Sequence, residues 1–161
     1  MDLRRLRTGE WIAGVSGLVL FVSLFLPWYD VAGAEVSAFE AFAVYDLLLV
    51  VMAALGISLV VVTSAQKSAA VGIALDGLVT VLAAIVAILL VFRVLNMPGN
   101  LDAAGADRAG FAWVGLAAAF GVFVGSLVAM RDERLSKPGR PTDSTGVPVD
   151  APPEIETISL P

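Results

Sequence analysis

The chain has 161 residues, of which 58% are apolar and 16% are charged, and its formal net charge is −5. With a mean hydropathy of +0.89, this composition excludes an ordinary water-soluble domain, because so much apolar surface would aggregate in water. Cysteine and histidine are both absent, which excludes disulfides, thiol catalysis, iron–sulfur clusters and the common zinc sites. We therefore predict no catalytic residue, no cofactor and no metal site.

Four stretches carry no charged side chain, and they lie at residues 11–28, 47–62, 77–92 and 111–130. A helix rises about 1.5 Å per residue and the hydrocarbon layer is about 30 Å thick, so a membrane span needs roughly 17 to 25 residues. Transmembrane strands would be about half as long and would alternate polar with apolar residues, which these stretches do not. With their flanks, the stretches predict spans at about 10–28, 43–64, 70–95 and 110–130.

The predicted fold class is accordingly all-α: a polytopic membrane protein with an antiparallel four-transmembrane-helix bundle over residues 1–134. The link at 63–70 is short, which makes the second and third helices antiparallel neighbours. The tail at 135–161 holds six of the eight prolines. It has too little apolar surface to fold, so we predict a disordered cytoplasmic tail.

Basic residues cluster on one side of the predicted membrane. They lie before the first span, between the second and third, and after the fourth, whereas the loops at 29–42 and 96–110 contain Arg108 alone against five acidic residues. The positive-inside rule therefore predicts a multi-pass protein of the cell membrane with both termini in the cytoplasm. We expect membrane lipids as partners and no nucleic acid, because the basic residues are confined to the cytoplasmic edge.

A cleaved signal peptide is the alternative interpretation of the first span, since Ala32, Gly33 and Ala34 resemble a small-residue cleavage site. It is the less favoured one. The apolar run exceeds the usual length of a signal-peptide core, and its removal would leave three spans without an alternating charge bias.

Aromatic residues lie near the ends of the predicted spans. Trp11 opens the first span, Trp28 and Tyr29 close it after Pro27, and Trp113 lies at the start of the fourth. Such rings favour the membrane interface, where the apolar ring meets lipid and the N–H or O–H meets water. We predict an aromatic belt here, in preference to a ligand or partner site at the mouth of the bundle.

The first outer loop ends in a capping-box pattern, in which Ser37 caps a helix and Glu40 reaches back to it. This predicts that the second helix begins near Ala38. The loop itself is short, and we predict a simple connector.

Four polar residues lie within or beside the spans and are the candidate polar or ion-pair residues: Asp46, Asp76, Thr80 and Arg93. Asp76 and Thr80 are four residues apart on one helix ridge, so Asp76 is expected to face protein. Asp46 and Arg93, on different helices near the outer surface, are candidates for an interhelical ion pair. A proton or ion pathway is less favoured, because it should place an ionisable group near the bilayer midplane.

The fourth span contains a ridge of small residues at four-residue steps, namely Ala117, Gly121, Gly125 and Ala129. Such a ridge lets a neighbouring backbone approach closely. Ala13, Gly14 and Gly17 of the first span are the predicted mates. Packing inside one bundle is favoured over the alternative, a homodimer or a contact with another membrane protein.

Short segments at residues 9–12, 25–29 and 129–133 resemble small uncharacterised bacterial four-span integral membrane proteins. The resemblance implies the four-span fold and brings no assigned activity. We predict a structural, accessory or interaction component of the membrane. The alternatives are a small transporter or channel subunit and, ranked last, a membrane-embedded lipid enzyme.

Overall fold

The computed structural model describes residues 6–42, 44–65, 69–97 and 99–134. The predicted tail, the first basic cluster at residues 4–5 and Lys67 lie outside these described residues. The elements in chain order are α1 (Thr8–Ser23), β1 (Pro27–Val31), β2 (Ala34–Ser37), α2 (Ala38–Ala41), α3 (Tyr45–Ala65), α4 (Ala69–Leu95), α5 (Gly99–Ala103), β3 (Asp107–Arg108) and α6 (Gly110–Arg134).

The chain is mostly helical, as predicted. Within the described residues, α3 with 21 residues, α4 with 27 and α6 with 25 contain apolar segments long enough to cross a membrane. Helix α1 is shorter, with 16 residues, which corresponds to about 24 Å at helical rise. The predicted first span extends to residue 28, whereas α1 ends at Ser23 because the chain enters strand β1 at Pro27.

The four longest helices, α1, α3, α4 and α6, pack against one another in specific pairs. Helix α1 lies against α6 and α3, and α4 lies against α6 and α3. At the α1–α6 contact the backbones nearly touch, because a Cβ atom added to Gly125 would lie 2.8 Å from the Cα of Ala13 and 2.9 Å from the carbonyl oxygen of Gly9. At the α1–α3 contact, a Cβ on Gly17 would lie 2.7 Å from the carbonyl oxygen of Ala53. Only glycine fits at these positions.

A small three-stranded sheet covers the end of the helices where α1 and α4 finish and where α3 and α6 begin, and we call this the sheet end. The strand order is β2-β1-β3, with both pairs antiparallel. The β1–β2 hairpin turns through Ala32 and Gly33, which have positive φ angles of 53° and 87°. The turn is held by the backbone N–H of Gly33, which donates to Oδ1 of Asp30 at 2.7 Å.

The sheet corrects two predictions. The fold is not purely α-helical. The predicted first outer loop is not a simple connector, because it forms a hairpin that pairs with β3 of the predicted second outer loop. The predicted capping box is present: the Glu40 carboxylate accepts from the Ser37 N–H at 2.8 Å and from its hydroxyl at 2.9 Å. It begins only the four-residue helix α2, and the long helix α3 begins separately at Tyr45.

Candidate functional site

The two faces of the sheet carry different chemistry. Residues that pair directly across antiparallel strands share a face, and neighbours along a strand alternate between faces. Asp30 pairs with Glu35 in β2 and with Asp107 in β3. These three carboxylates, which we call the acidic row, are exposed or half-exposed. No group of three acidic residues among the described ones is arranged to hold a metal ion.

The opposite face of the sheet packs onto the helices. Tyr29 pairs with Val36 in β2 and with Arg108 in β3. Tyr29 is fully buried, and so is Trp28, which lies at the bulge between Pro27 and Tyr29 where the alternation of faces is interrupted. The sheet therefore has an acidic face turned to solvent and an aromatic face turned to the helix ends.

The prediction that Trp28 and Tyr29 belong to an interface belt is corrected by this burial. The Trp28 ring lies against Gly115 of α6, where a side chain would collide with it. The Trp28 indole N–H donates to the carbonyl oxygen of Ser23 at 2.7 Å, so the buried ring has its polar partner inside the protein. Trp11 and Trp113 are 45% and 50% exposed, and for these two residues the interface belt stays a prediction.

Arg108 joins the sheet to the end of α4. Its Nε donates to the carbonyl oxygen of Val94 and its Nη2 to that of Leu95, both at 2.7 Å. The last carbonyls of a helix have no partner within the helix and carry partial negative charge, so a guanidinium is well suited to this position. The backbone N–H of Ala109 donates to the Trp28 carbonyl oxygen at 2.8 Å, which ties the start of α6 to the same strand.

Tyr29 lies in a positively charged environment beneath the sheet. Its ring meets the Phe42 ring edge-on, with 5.9 Å between centroids. Burial raises the pKa of the Tyr29 hydroxyl, and the nearby charges of Arg93 and Arg108 oppose that rise. The buried Tyr29 oxygen has no hydrogen-bond partner among the described residues.

Arg93, near the end of α4, reaches the same region. Its guanidinium carbon lies 5.5 Å from the centre of the Phe42 ring and 5.3 Å from that of Tyr45. These distances are typical of cation–π contacts. The Arg93 Nε is buried without a hydrogen-bond partner among the described residues.

The predicted ion pair between Asp46 and Arg93 is therefore not formed. Asp46 is buried at the start of α3, and its Oδ1 also lacks a hydrogen-bond partner in the described part of the chain. The guanidinium instead occupies the space between two aromatic rings, one from α3 and one from the residue that follows α2.

Asp76 and Thr80 lie far from this region. Both are buried, which agrees with the expectation that Asp76 faces protein, and the Thr80 hydroxyl donates to the backbone carbonyl of Asp76 at 2.7 Å. The distance from Asp76 to Arg93 is about 25 Å along the helix. The buried residues of α4 between Thr80 and Arg93 are apolar: Ala83, Val86, Ala87 and Leu90. The structure thus does not join the four polar candidates into one pathway.

The small-residue ridge of α6 contacts α1 over most of its length. Ala129 lies against Gly9, Gly125 against Ala13, and Gly121 against Ser16. Ala117 is exposed and takes no part. The reason is geometric, because each four-residue step turns about 40° beyond one helical turn, so the stripe leaves the contact after a few steps.

The predicted mates on α1 are divided between two neighbours. Ala13 contacts α6, whereas Gly14 and Gly17 contact α3 at Val60 and Ala53. Because the α6 ridge packs against α1 within the chain, its buried side cannot contact a second copy of the protein.

Sequence reasoning missed the residues that build the sheet end, namely Phe42, Arg108 and Gly115. Each of the three lies in a separate segment of the chain, outside any motif that would mark it as functional. The pairing of β1 with β3 brings the two predicted outer loops together and gives these residues a common location.

A scan against protein-family models gave no match, and searches among curated proteins and solved structures gave none either.

Proposed function

We propose that the protein is a multi-pass component of the cell membrane in which α1, α3, α4 and α6 all cross the bilayer as an antiparallel four-helix bundle. Three of the helices have the required length and apolarity. The fourth, α1, continues in the apolar residues 24–26 before the sheet begins. The distribution of basic residues supports an orientation with both termini in the cytoplasm and the sheet outside.

We further propose that the protein acts as a structural, accessory or interaction component. The observation that carries this proposal is the attachment of the sheet to the helices. The Trp28 ring of β1 packs against α6, and the Arg108 side chain of β3 donates hydrogen bonds to the last carbonyls of α4. The sheet is thus a fixed platform, and its outward face presents the acidic row of Glu35, Asp30 and Asp107. Such a face favours a partner that carries positive charge.

Blue-native electrophoresis of mildly solubilised membranes tests the interaction role. The proposal expects the parent protein to migrate in an assembly larger than one chain. The charge reversals Glu35→Lys and Asp107→Lys together should release it, whereas the control Asp102→Lys, an exposed acidic residue outside the row, should not. Migration of the parent as a single chain would contradict the interaction role.

A further inference from the structure

Two buried donors beneath the sheet have no acceptor among the residues that the structure describes. They are the hydroxyl of Tyr29 on β1 and the Nε–H of Arg93 on α4, and neither finds a partner among the described residues. Nearly all buried polar groups in folded proteins are hydrogen-bonded, so each exception needs an explanation. Both residues contact Phe42, with 5.9 Å between the Tyr29 and Phe42 ring centroids and 5.5 Å from the Arg93 guanidinium carbon to the Phe42 ring centre. A single shared acceptor is the simplest explanation for both donors.

Most acceptors near this place are already engaged or turned away, and the buried Asp46 Oδ1, which has no hydrogen-bond partner among the described residues, forms no bond with Arg93. The terminal carbonyls of Val94 and Leu95 accept from Arg108. Glu40 accepts from Ser37. The acidic row lies on the opposite face of the sheet from Tyr29.

The electrostatic field at this place is suited to an anion. The charged groups that act on the Tyr29 hydroxyl are two guanidinium groups, those of Arg93 and Arg108. Arg108 donates to two carbonyl oxygens, whereas the Arg93 guanidinium contacts two aromatic rings and its Nε has no acceptor among the described residues.

The region around Arg93 is also partly exposed on the side surface of the helices. Arg93 is half-buried, so part of its side chain remains accessible. Its neighbours Phe92 and Leu95 are 67% and 57% exposed on the surface that would meet lipid. In the proposed orientation this is the level of the outer-leaflet headgroups.

We propose that Arg93 and Tyr29 bind a phosphate group at the sheet end, carried by a phospholipid headgroup or by a free phosphate. A guanidinium binds an oxyanion side-on through Nε–H and one Nη–H, and the buried Nε of Arg93 is the donor left unused. The Tyr29 hydroxyl donates to a further phosphate oxygen. Phe42 and Tyr45 hold the plane of the guanidinium, which lowers the entropy lost on binding.

The proposal is tested by binding measurements on the full-length protein in phosphate-free detergent, with two probes: dioctanoyl phosphatidylglycerol and inorganic phosphate. Dioctanoylglycerol, which lacks the phosphate, is the control ligand. We expect the parent to bind the phosphatidylglycerol more tightly than the control lipid. Arg93→Gln should weaken that binding by about tenfold or more, and Tyr29→Phe by roughly threefold, since one charge-assisted and one neutral donor are lost.

Arg131→Gln is the matched control variant, because it removes an exposed arginine at the other end of α6. It should bind like the parent. If inorganic phosphate competes with the lipid, the site recognises the phosphate group alone; if it does not, the lipid is the ligand. Tyr29→Phe removes a single oxygen and guards against a folding defect in Arg93→Gln.

Equal binding of the two lipids by the parent, with no binding of inorganic phosphate, would overturn the proposal. Unchanged binding in Arg93→Gln and Tyr29→Phe would overturn it as well. The lipid arm rests on the proposed membrane placement, whereas the inorganic phosphate arm does not. Failure of the site and failure of the placement are therefore distinguishable.

Discussion

The α1–α6 contact and the sheet end are built in opposite ways. Along α1 and α6, Gly9, Ala13, Gly125 and Ala129 bring two backbones together with no side chain between them. At the sheet end, large rings and two arginines fill the space, and some of their polar atoms have no partner within the described part of the chain. The α1–α6 contact is closely packed within the chain, and a side chain added at Gly9 or Gly125 would collide with the neighbouring backbone. The sheet end has spare hydrogen-bonding capacity, which is why we assign binding to it.

The largest expected effect comes from filling the α1–α6 contact. Gly125→Leu should displace α1, because even its Cβ would lie 2.8 Å from the Cα of Ala13. We expect a loss of about 3 kcal/mol or more in the free energy of unfolding, measured by thermal unfolding in detergent. Ala117→Leu, on the same predicted ridge but exposed, should change it by less than about 0.5 kcal/mol. Equal effects of the two substitutions would refute the observed orientation of α6.

The next effect distinguishes the buried tryptophan from the exposed one. Trp28→Ala should lower the free energy of unfolding by about 3 kcal/mol, because it empties the space against Gly115. Trp113→Ala removes a half-exposed ring and should cost less than about 1 kcal/mol. A larger cost for Trp113 than for Trp28 would restore the interface-belt interpretation of Trp28.

A smaller effect is expected at the junction between the sheet and α4. Arg108→Gln leaves the carbonyls of Val94 and Leu95 without their donor. We expect a loss of about 1 kcal/mol in the free energy of unfolding, and faster hydrogen exchange in the last turn of α4. Exchange that increases equally in all helices would argue against a local role for Arg108.

The Tyr29 hydroxyl gives a pH-dependent prediction. Because burial raises its pKa above the ordinary value of 10.0, the unfolded chain ionises first as the pH rises. The unfolded state then binds fewer protons than the folded state, so stability should fall as the pH rises above about 10.

Ultraviolet titration of the phenol in a Tyr45→Phe background isolates Tyr29, since the chain has only two tyrosines. Arg93→Gln removes a favourable positive charge and should raise the pKa of Tyr29 further. A lower pKa in that variant would contradict the close approach of the two groups.

The smallest effect concerns the absent ion pair. Because Arg93 contacts aromatic rings and not Asp46, the stability changes of Asp46→Asn and Arg93→Gln should be additive to within about 0.5 kcal/mol in a double-mutant cycle. A coupling energy above about 1 kcal/mol would show that the two charges interact.

The helical part of the fold could be predicted from the sequence, because bilayer thickness sets the minimum length of an apolar spanning helix. Likewise, the four-residue spacing identified Gly121, Gly125 and Ala129, although it wrongly included Ala117, since four residues exceed one helical turn. The sheet could not be predicted. Its strands have five, four and two residues, too few to show an alternating pattern. Strand β1 also pairs with β3 across the four helices α2, α3, α4 and α5.

The candidate site could be predicted only in part for the same reason. Arg93 was identified as an unusual charge, but its aromatic neighbours and Tyr29 depend on pairing between distant segments. Local pattern therefore predicted the helix contacts better than the sheet end, where long-range pairing decides which residues meet.

Accessibility labelling of single introduced cysteines tests the proposed membrane placement most directly, because the chain has no cysteine of its own. A membrane-impermeant maleimide applied to intact cells should label Glu35→Cys and Ala104→Cys at the sheet end. It should reach Thr8→Cys and Ala65→Cys, exposed at the opposite end, only after permeabilisation. Labelling of Thr8→Cys from outside, or equal labelling of all four positions, would contradict a sheet held outside by four membrane-spanning helices.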